Sequence, residues 1–143
     1  MYKNDYNPLC WIRGLEKGNV FIGEDTWIGP FCVIDGEYDL VNIGRGVNIS
    51  SGSQILTHDT VWRCLTNSAY PKIDHAPTTI GNFVYIGTNA VILKGSTIGD
   101  HSIIGAGTII LENSIIPPYS LVVGVPGKIK RNIYDELAKM TKE

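Results

Sequence analysis

Three histidines, His58, His75 and His101, are the side chains here whose ordinary titration falls near neutral pH. Such an imidazole can take a proton from an attacking hydroxyl or amine. Zinc catalysis would instead want three protein ligands around an open position. The histidines are 17 and 26 residues apart, with no close pair, so no metal is expected. The three cysteines, Cys10, Cys32 and Cys64, are an odd number without paired spacing, which argues against a disulfide framework or a structural zinc site. Which histidine could act depends on what holds it.

That support is written between Thr79 and Val122. Ile80, Ile86, Ile92, Ile98, Ile104, Ile110, Ile116 and Val122 recur every six residues. Four residues after each isoleucine comes a small or β-branched residue: Val84, Ala90, Ser96, Ser102, Thr108, Ser114 and Ser120. A helix repeats every 3.6 residues and a strand every two, so six fits neither alone. It fits a short strand followed by a corner. The isoleucine and the small residue two places before it point inward, and the next residue, often Gly, begins the turn, where positive φ is open to it. Three such sides close a triangular coil. Ile92-Leu93-Lys94-Gly95-Ser96-Thr97 is matched 18 residues later by Ile110-Leu111-Glu112-Asn113-Ser114-Ile115, which supports the count independently. Successive coils would stack about 4.8 Å apart, the hydrogen-bonded strand spacing. The fold class is all-β: a parallel β-helix of hexapeptide repeats.

Departures from the period mark everything else. The chain is expected to form one domain over residues 1–143, with an irregular N-terminal cap and partial first coil over 1–21. The β-helix would run over 22–123, its regular coils starting at Ile22, Ile28 and Ile34. From Ile34 to Ile43 the step is nine, so three extra residues bulge near Glu37-Tyr38-Asp39. Ile55-Leu56 carries the Ile-Leu pair of the third face, and the next anchor, Ile80, is 25 residues on where six would do. About nineteen residues therefore leave the coil as a protruding loop, 59–78, without helical or strand period. Long loops without structure of their own are functional or disordered; the Trp, Tyr, Arg and His content of this one favours function. Beyond Gly124-Val125-Pro126-Gly127, a C-terminal segment over 124–143 should contain a short amphipathic helix. Its face would be Ile129, Ile133, Leu137 and Met140, covering the open end of the coil, and Lys139 and Lys142 suit its C-terminal dipole.

Against this frame the histidines separate. His101 follows Asp100 at a corner whose equivalent one coil earlier is Phe83, so it reads as a solvated surface side chain. His75 ends the loop before Ala76-Pro77 and is either a substrate contact or simply exposed. His58 lies where coil gives way to loop, between Thr57 and Asp59. Rigid scaffold beneath and a cleft above suit a general base; position alone leaves a structural role open. Cys32, at a small inward position, should be a packed thiol.

The stretch IGNFVYIGTNAVILKGSTIGDHSIIGAG resembles the hexapeptide-repeat (left-handed β-helix) acyltransferases, and ILTHDT resembles the histidine motif of the sugar O-acetyltransferases among them. The resemblance runs from about Val20 to Arg131. It implies a left-handed coil, an exception to the usual right-handed crossover. It also implies acetyl-CoA as acetyl donor, no metal, and a homotrimer with active sites between subunits. His58 would be the catalytic base for direct transfer to a hydroxyl of a sugar, sugar nucleotide or polysaccharide precursor. The matching backbone N–H for the oxyanion is that of Thr88. Tyr85 stands where relatives often place Trp. Gly105, Ala106 and Gly107 would admit the pantetheine, and GVPGKIKR resembles the family's GVPxRVIR, making Lys128 and Arg131 candidates for the nucleotide phosphates. The loop supplies Asp59, Trp62, Tyr70 and His75 as acceptor-binding candidates. Leu111-Glu112 replaces the Thr-Lys of many relatives.

A net charge of −2 with 18% charged residues suggests neither a nucleic-acid nor a membrane partner. No apolar run approaches a membrane span, and Met1-Tyr2-Lys3-Asn4-Asp5 does not begin a secretory signal, so a cytoplasmic protein is expected. A serine, aminosugar or drug acetyltransferase is the nearest alternative. A γ-carbonic-anhydrase-like zinc protein and a non-catalytic β-helix scaffold lie further off.

Overall fold

The computed structural model describes residues 7–142. Met1 to Tyr6, including the segment bearing on a secretory signal, and Glu143 lie outside that range. Short parallel strands stack into three sheets, which form the faces of a left-handed β-helix. The first face carries Ile22, Ile43, Ile80, Ile98 and Ile116 in register. The second carries Ile28, Ile49, Ile86, Ile104 and Val122. The third carries Ile12, Ile34, Ile55, Ile92 and Ile110. Most of these anchors are fully buried, and with the small inward residues they form one continuous core. Burying an isoleucine side chain is worth about 1.5–3 kcal/mol, so the column is the main source of cohesion. Cys32 packs into it with 1% of its surface exposed.

The corners work differently from the sequence expectation. Glycines directly after the anchors do not take positive φ. They are needed because the next coil lies against them: a Cβ at Gly87 would come within 2.5 Å of the Ala106 backbone nitrogen, and one at Gly23 within 2.5 Å of the Gly44 carbonyl carbon. Left-handed backbone falls two residues later, at Asp25, Phe31, Phe83, Asn89, His101, Asn113 and Tyr119 as well as Gly46, Gly52, Gly95 and Gly107.

Both ends add strands to the coil. The strand Trp11–Arg13 pairs with Val33–Asp35, so the coil already exists on the third face before Ile22. After Val122 only half of the expected helix forms. Lys128–Asn132 is a strand running antiparallel to Ser120–Val123, which it covers at the edge of the second face. The helix is limited to Tyr134–Met140. Ile129 therefore pairs with Val122 across the ladder and is half exposed, and Met140 stays in solvent. Lys139 lies in the last helical turn, whereas Lys142 lies beyond it.

The 59–78 segment is also structured. His58–Asp59 and Asp74–His75 form an antiparallel ribbon, and Val61–Leu65 makes a short helix at its far end. Two-residue strands and a five-residue helix are too short to show a period, which is why the sequence read as structureless. The bulge after Ile34 is a bend at Glu37, Tyr38 and Asp39, as expected.

Candidate functional site

His58 sits three residues after the third-face anchor Ile55, where other corners turn left-handed; here the chain enters the ribbon instead. Thr57, fully buried, donates its hydroxyl to the Asp35 carbonyl and accepts the Ala76 N–H at its own carbonyl, tying both ends of the excursion to the coil. His58 Nδ1 lies 3.0 Å from Asp35 Oδ2, at ion-pair distance, with the ring turned off the line of a hydrogen bond. The Tyr38 ring meets the imidazole edge-on at 4.7 Å. Asp35 is almost fully buried. Its Oδ1 accepts the Glu37 N–H, and Arg13 Nη1 approaches Oδ2 at 3.3 Å.

Asp35, Arg13 and Tyr38 were not foreseen. Asp35 had a signal: on the third face the residue after the anchor is Arg13, Asp35, Leu56, Leu93 and Leu111, so a carboxylate interrupts the column beside an arginine and ahead of three leucines.

Asp59, on the other side of the ribbon, is held by Lys94 at 2.6 Å. Lys94 also pairs with Glu112 from the next coil. The Lys94 hydrogen bond holds the Asp59 carboxyl below its ordinary value; burial opposes that and the Val61 N–H adds to it. Burial of Lys94 works against its charge, but the two carboxylates outweigh it and its value is raised. The Glu112 that replaces a possible cation is thus one arm of this network.

Asp59, Trp62, Tyr70 and His75, the four acceptor-binding candidates, line one cleft of about 610 Å³ together with Lys94 and Asp74. Tyr70 donates its hydroxyl to Asp74 Oδ1 at 2.9 Å. His75 is not merely exposed: its Nδ1 lies 2.7 Å from Asp39 Oδ2. His58 opens into a neighbouring cleft of about 520 Å³, which shares Asp59 and Val61 with the first.

The remaining candidates lie elsewhere on the coil. Tyr85 projects from the second face, about half exposed, and receives a hydrogen bond from the Ser50 hydroxyl. Thr88, Gly105, Ala106 and Gly107 form the next corner, between the second and third faces. Gly107 has a φ of +69° and open space where a Cβ would stand. Lys128 and Arg131 are on the edge strand of the second face. Lys128 makes no ion pair among the described residues, whereas Arg131 is engaged by both carboxylate oxygens of Glu136. Within one chain the cofactor candidates thus gather on the second face and its trailing corner, and His58 on the corner after the third. His101 is half-buried rather than solvated. It stacks between Phe83 and Tyr119 at centroid distances of 5.1 and 5.0 Å, and Tyr134 meets Tyr119 edge-on.

Residues 77–112 match the family described as bacterial transferase hexapeptide (six repeats). That stretch of the chain thus carries the hexapeptide repeat of the family. It is 38% identical over 88 residues to protein CapG of Staphylococcus aureus, a match covering 57% of this chain and 48% of that protein. Among solved structures it resembles a hexapeptide-repeat-containing acetyltransferase from Vibrio cholerae (TM-score 0.77, 28% identity, 91% of this chain and 70% of that one). It also resembles a galactoside acetyltransferase in complex with coenzyme A (TM-score 0.76, 32% identity, 92% and 62%). The chain spans about half the length of CapG and 61% of the carnitine operon protein CaiE of Citrobacter koseri. No helix among the described residues is long and apolar enough to cross a membrane.

Proposed function

We propose that this protein transfers an acetyl group from acetyl-CoA to a hydroxyl of a sugar, sugar nucleotide or polysaccharide precursor, with His58 as general base. The observation that carries the reading is His58 backed by the buried carboxylate of Asp35 at the mouth of the ribbon clefts. A carboxylate at Nδ1 favours the tautomer protonated there and leaves the lone pair on Nε2. Nε2 then takes the proton of the acceptor hydroxyl as the oxygen attacks, and Asp35 stabilises the imidazolium that forms. A modest rotation of the ring would align Nδ1–H on Oδ2.

Acetyl-CoA, when bound, supplies the activated thioester carbonyl. The open corner at Gly105-Ala106-Gly107 fits a narrow chain approaching backbone, and Lys128 is free to meet a phosphate. Thr88 offers a backbone N–H at the same corner. Support for this donor comes from the coenzyme A bound to the galactoside acetyltransferase and the acetyl-CoA bound to the Vibrio cholerae protein. The two groups of residues occupy different corners, which supports a site completed between subunits of a homotrimer. The same assembly would work in the cytoplasm, where acetyl-CoA is made.

The test is coenzyme A release from acetyl-CoA in the presence of sugar acceptors, serine and amines. Acceptor-dependent release by wild type and its loss in His58→Ala are expected. Release that is unchanged in His58→Ala would overturn the assignment.

A further inference from the structure

The ribbon sets a second imidazole beside the first. His58 and His75 are direct cross-strand partners in the antiparallel pair. Side chains at such positions leave the same face of the ribbon, with Cβ atoms about 4.5–5.5 Å apart. Each ring turns Nδ1 toward a carboxylate: Asp35 lies just before the bulge and Asp39 in it. Each ring therefore has Nε2 left over for a ligand. His58 lines one cleft and His75 the other, and the two clefts share Asp59 and Val61 in their walls.

Resting on the acetyltransferase reading above, we propose that His75, held by Asp39, is an acceptor-binding residue that grips the hydroxyl next to the one His58 deprotonates. The acceptor class that fits is a carbohydrate with adjacent hydroxyls. A lone alcohol, or an amine on an apolar drug, offers no adjacent hydroxyl for the second ring, and serine brings a carboxylate in its place. Charge narrows the class further. Among the described residues, Lys94 is the only lysine or arginine lining the larger cleft, and Asp59 and Glu112 already engage it. Asp74 adds another carboxylate. An uncharged sugar suits this cleft; an acidic one such as a uronate does not.

The experiment compares methyl hexosides, their monodeoxy analogues, serine and methyl glucuronide as acceptors for wild type, His75→Gln and Asp39→Asn. Wild type should prefer the intact hexoside over its best deoxy analogue. In His75→Gln, kcat/KM on the intact sugar should fall about three- to tenfold, the size of one hydrogen bond, with little change on the deoxy analogue. Asp39→Asn should move in the same direction, which covers the case of a poorly folding His75 variant. Equal losses on intact and deoxy sugars would make His75 a merely structural clasp and overturn the inference alone. A wild-type preference for serine or the glucuronide would also overturn it while leaving acetyl transfer standing. Absence of transfer to every acceptor would remove the underlying activity, and this inference with it.

Discussion

Replacing Asp35 by Asn separates the chemistry of His58 from its fold. Oδ1 of Asp35 accepts the Glu37 N–H, which fixes the orientation of an asparagine amide. Its NH2 group must then face His58 Nδ1 where Oδ2 stands now. A donor at that place favours the tautomer with the proton on Nε2, and the lone pair that would accept the substrate proton is gone. General-base catalysis contributes about 10²–10⁴-fold, so kcat should fall at least about a hundredfold. Stability should change far less. The shape and one hydrogen bond survive; the charge facing Arg13 is lost, and that side chain is partly in solvent. A partly exposed pair of this kind is worth about 1 kcal/mol, a loss of a few degrees in Tm for a chain of this size. Coenzyme A release gives the rate and a thermal melt gives the stability. A kcat within about threefold of wild type at an unchanged melt would refute the argument. Asp35 would then be a structural carboxylate for Arg13 and the bulge.

Other substitutions follow from the corners and the ion network. Gly87→Ala drives a Cβ into the backbone of the next coil and should destabilise by about 1–3 kcal/mol in a melt. Gly107→Asn, at the left-handed position that Asn89 and Asn113 fill on other coils, should stay within about 0.5 kcal/mol of wild type. His101→Phe should preserve both melt and turnover, because Phe83 and Tyr119 already occupy that stack. Lys94→Met leaves Asp59 and Glu112 unpaired, and its effect should depend on pH. Asp59 is held below its unfolded value, so its contribution is present above about pH 4 and is lost as pH falls through the lower folded value. Lys94 is raised, so its contribution is present below its unfolded value and is lost as pH rises through the folded one. Wild type should out-melt Lys94→Met at neutral pH, and the two melts should converge in strong acid.

The coil was legible because one residue type repeats at one period: every isoleucine from Ile80 to Ile110 is buried at the place the count of six assigned. The corners were misread because glycine answers two needs, and here contact between coils, not positive φ, selects Gly23, Gly81 and Gly87. Asp25, Asn89 and Asn113, types that tolerate left-handed backbone, marked the true position. Phe83, His101 and Tyr119 did not, since their stacking across coils is tertiary. The ribbon and the strand Lys128–Asn132 were hidden for a related reason: edge strands this exposed carry no buried-and-polar alternation. His58 stood out as the residue at a break in the period. The carboxylates that hold His58 and His75 did not, because the bulge brings them from 23 and 36 residues away.

The separation of the candidates on two corners leads to one more expectation, about assembly. A triangular coil cannot fold one of its corners onto another, so His58 and the Gly105-Ala106-Gly107 corner of one chain cannot serve one small acyl group together. In a closed ring, each protomer presents one corner to its neighbour's other corner. Ala106 is exposed at the open corner, so Ala106→Trp should block that corner without disturbing the core. Neither Ala106→Trp nor His58→Ala should turn over alone. Unfolded and refolded together in equal amounts, they place an intact His58 beside an intact corner in about a quarter of the interfaces of a randomly mixed ring. Recovery of roughly that fraction of wild-type coenzyme A release would place each site between two chains. No recovery, with mixed oligomers demonstrated by a tag on one variant, would mean that one chain builds the whole site, and the donor would have to lie along the ribbon beside His58.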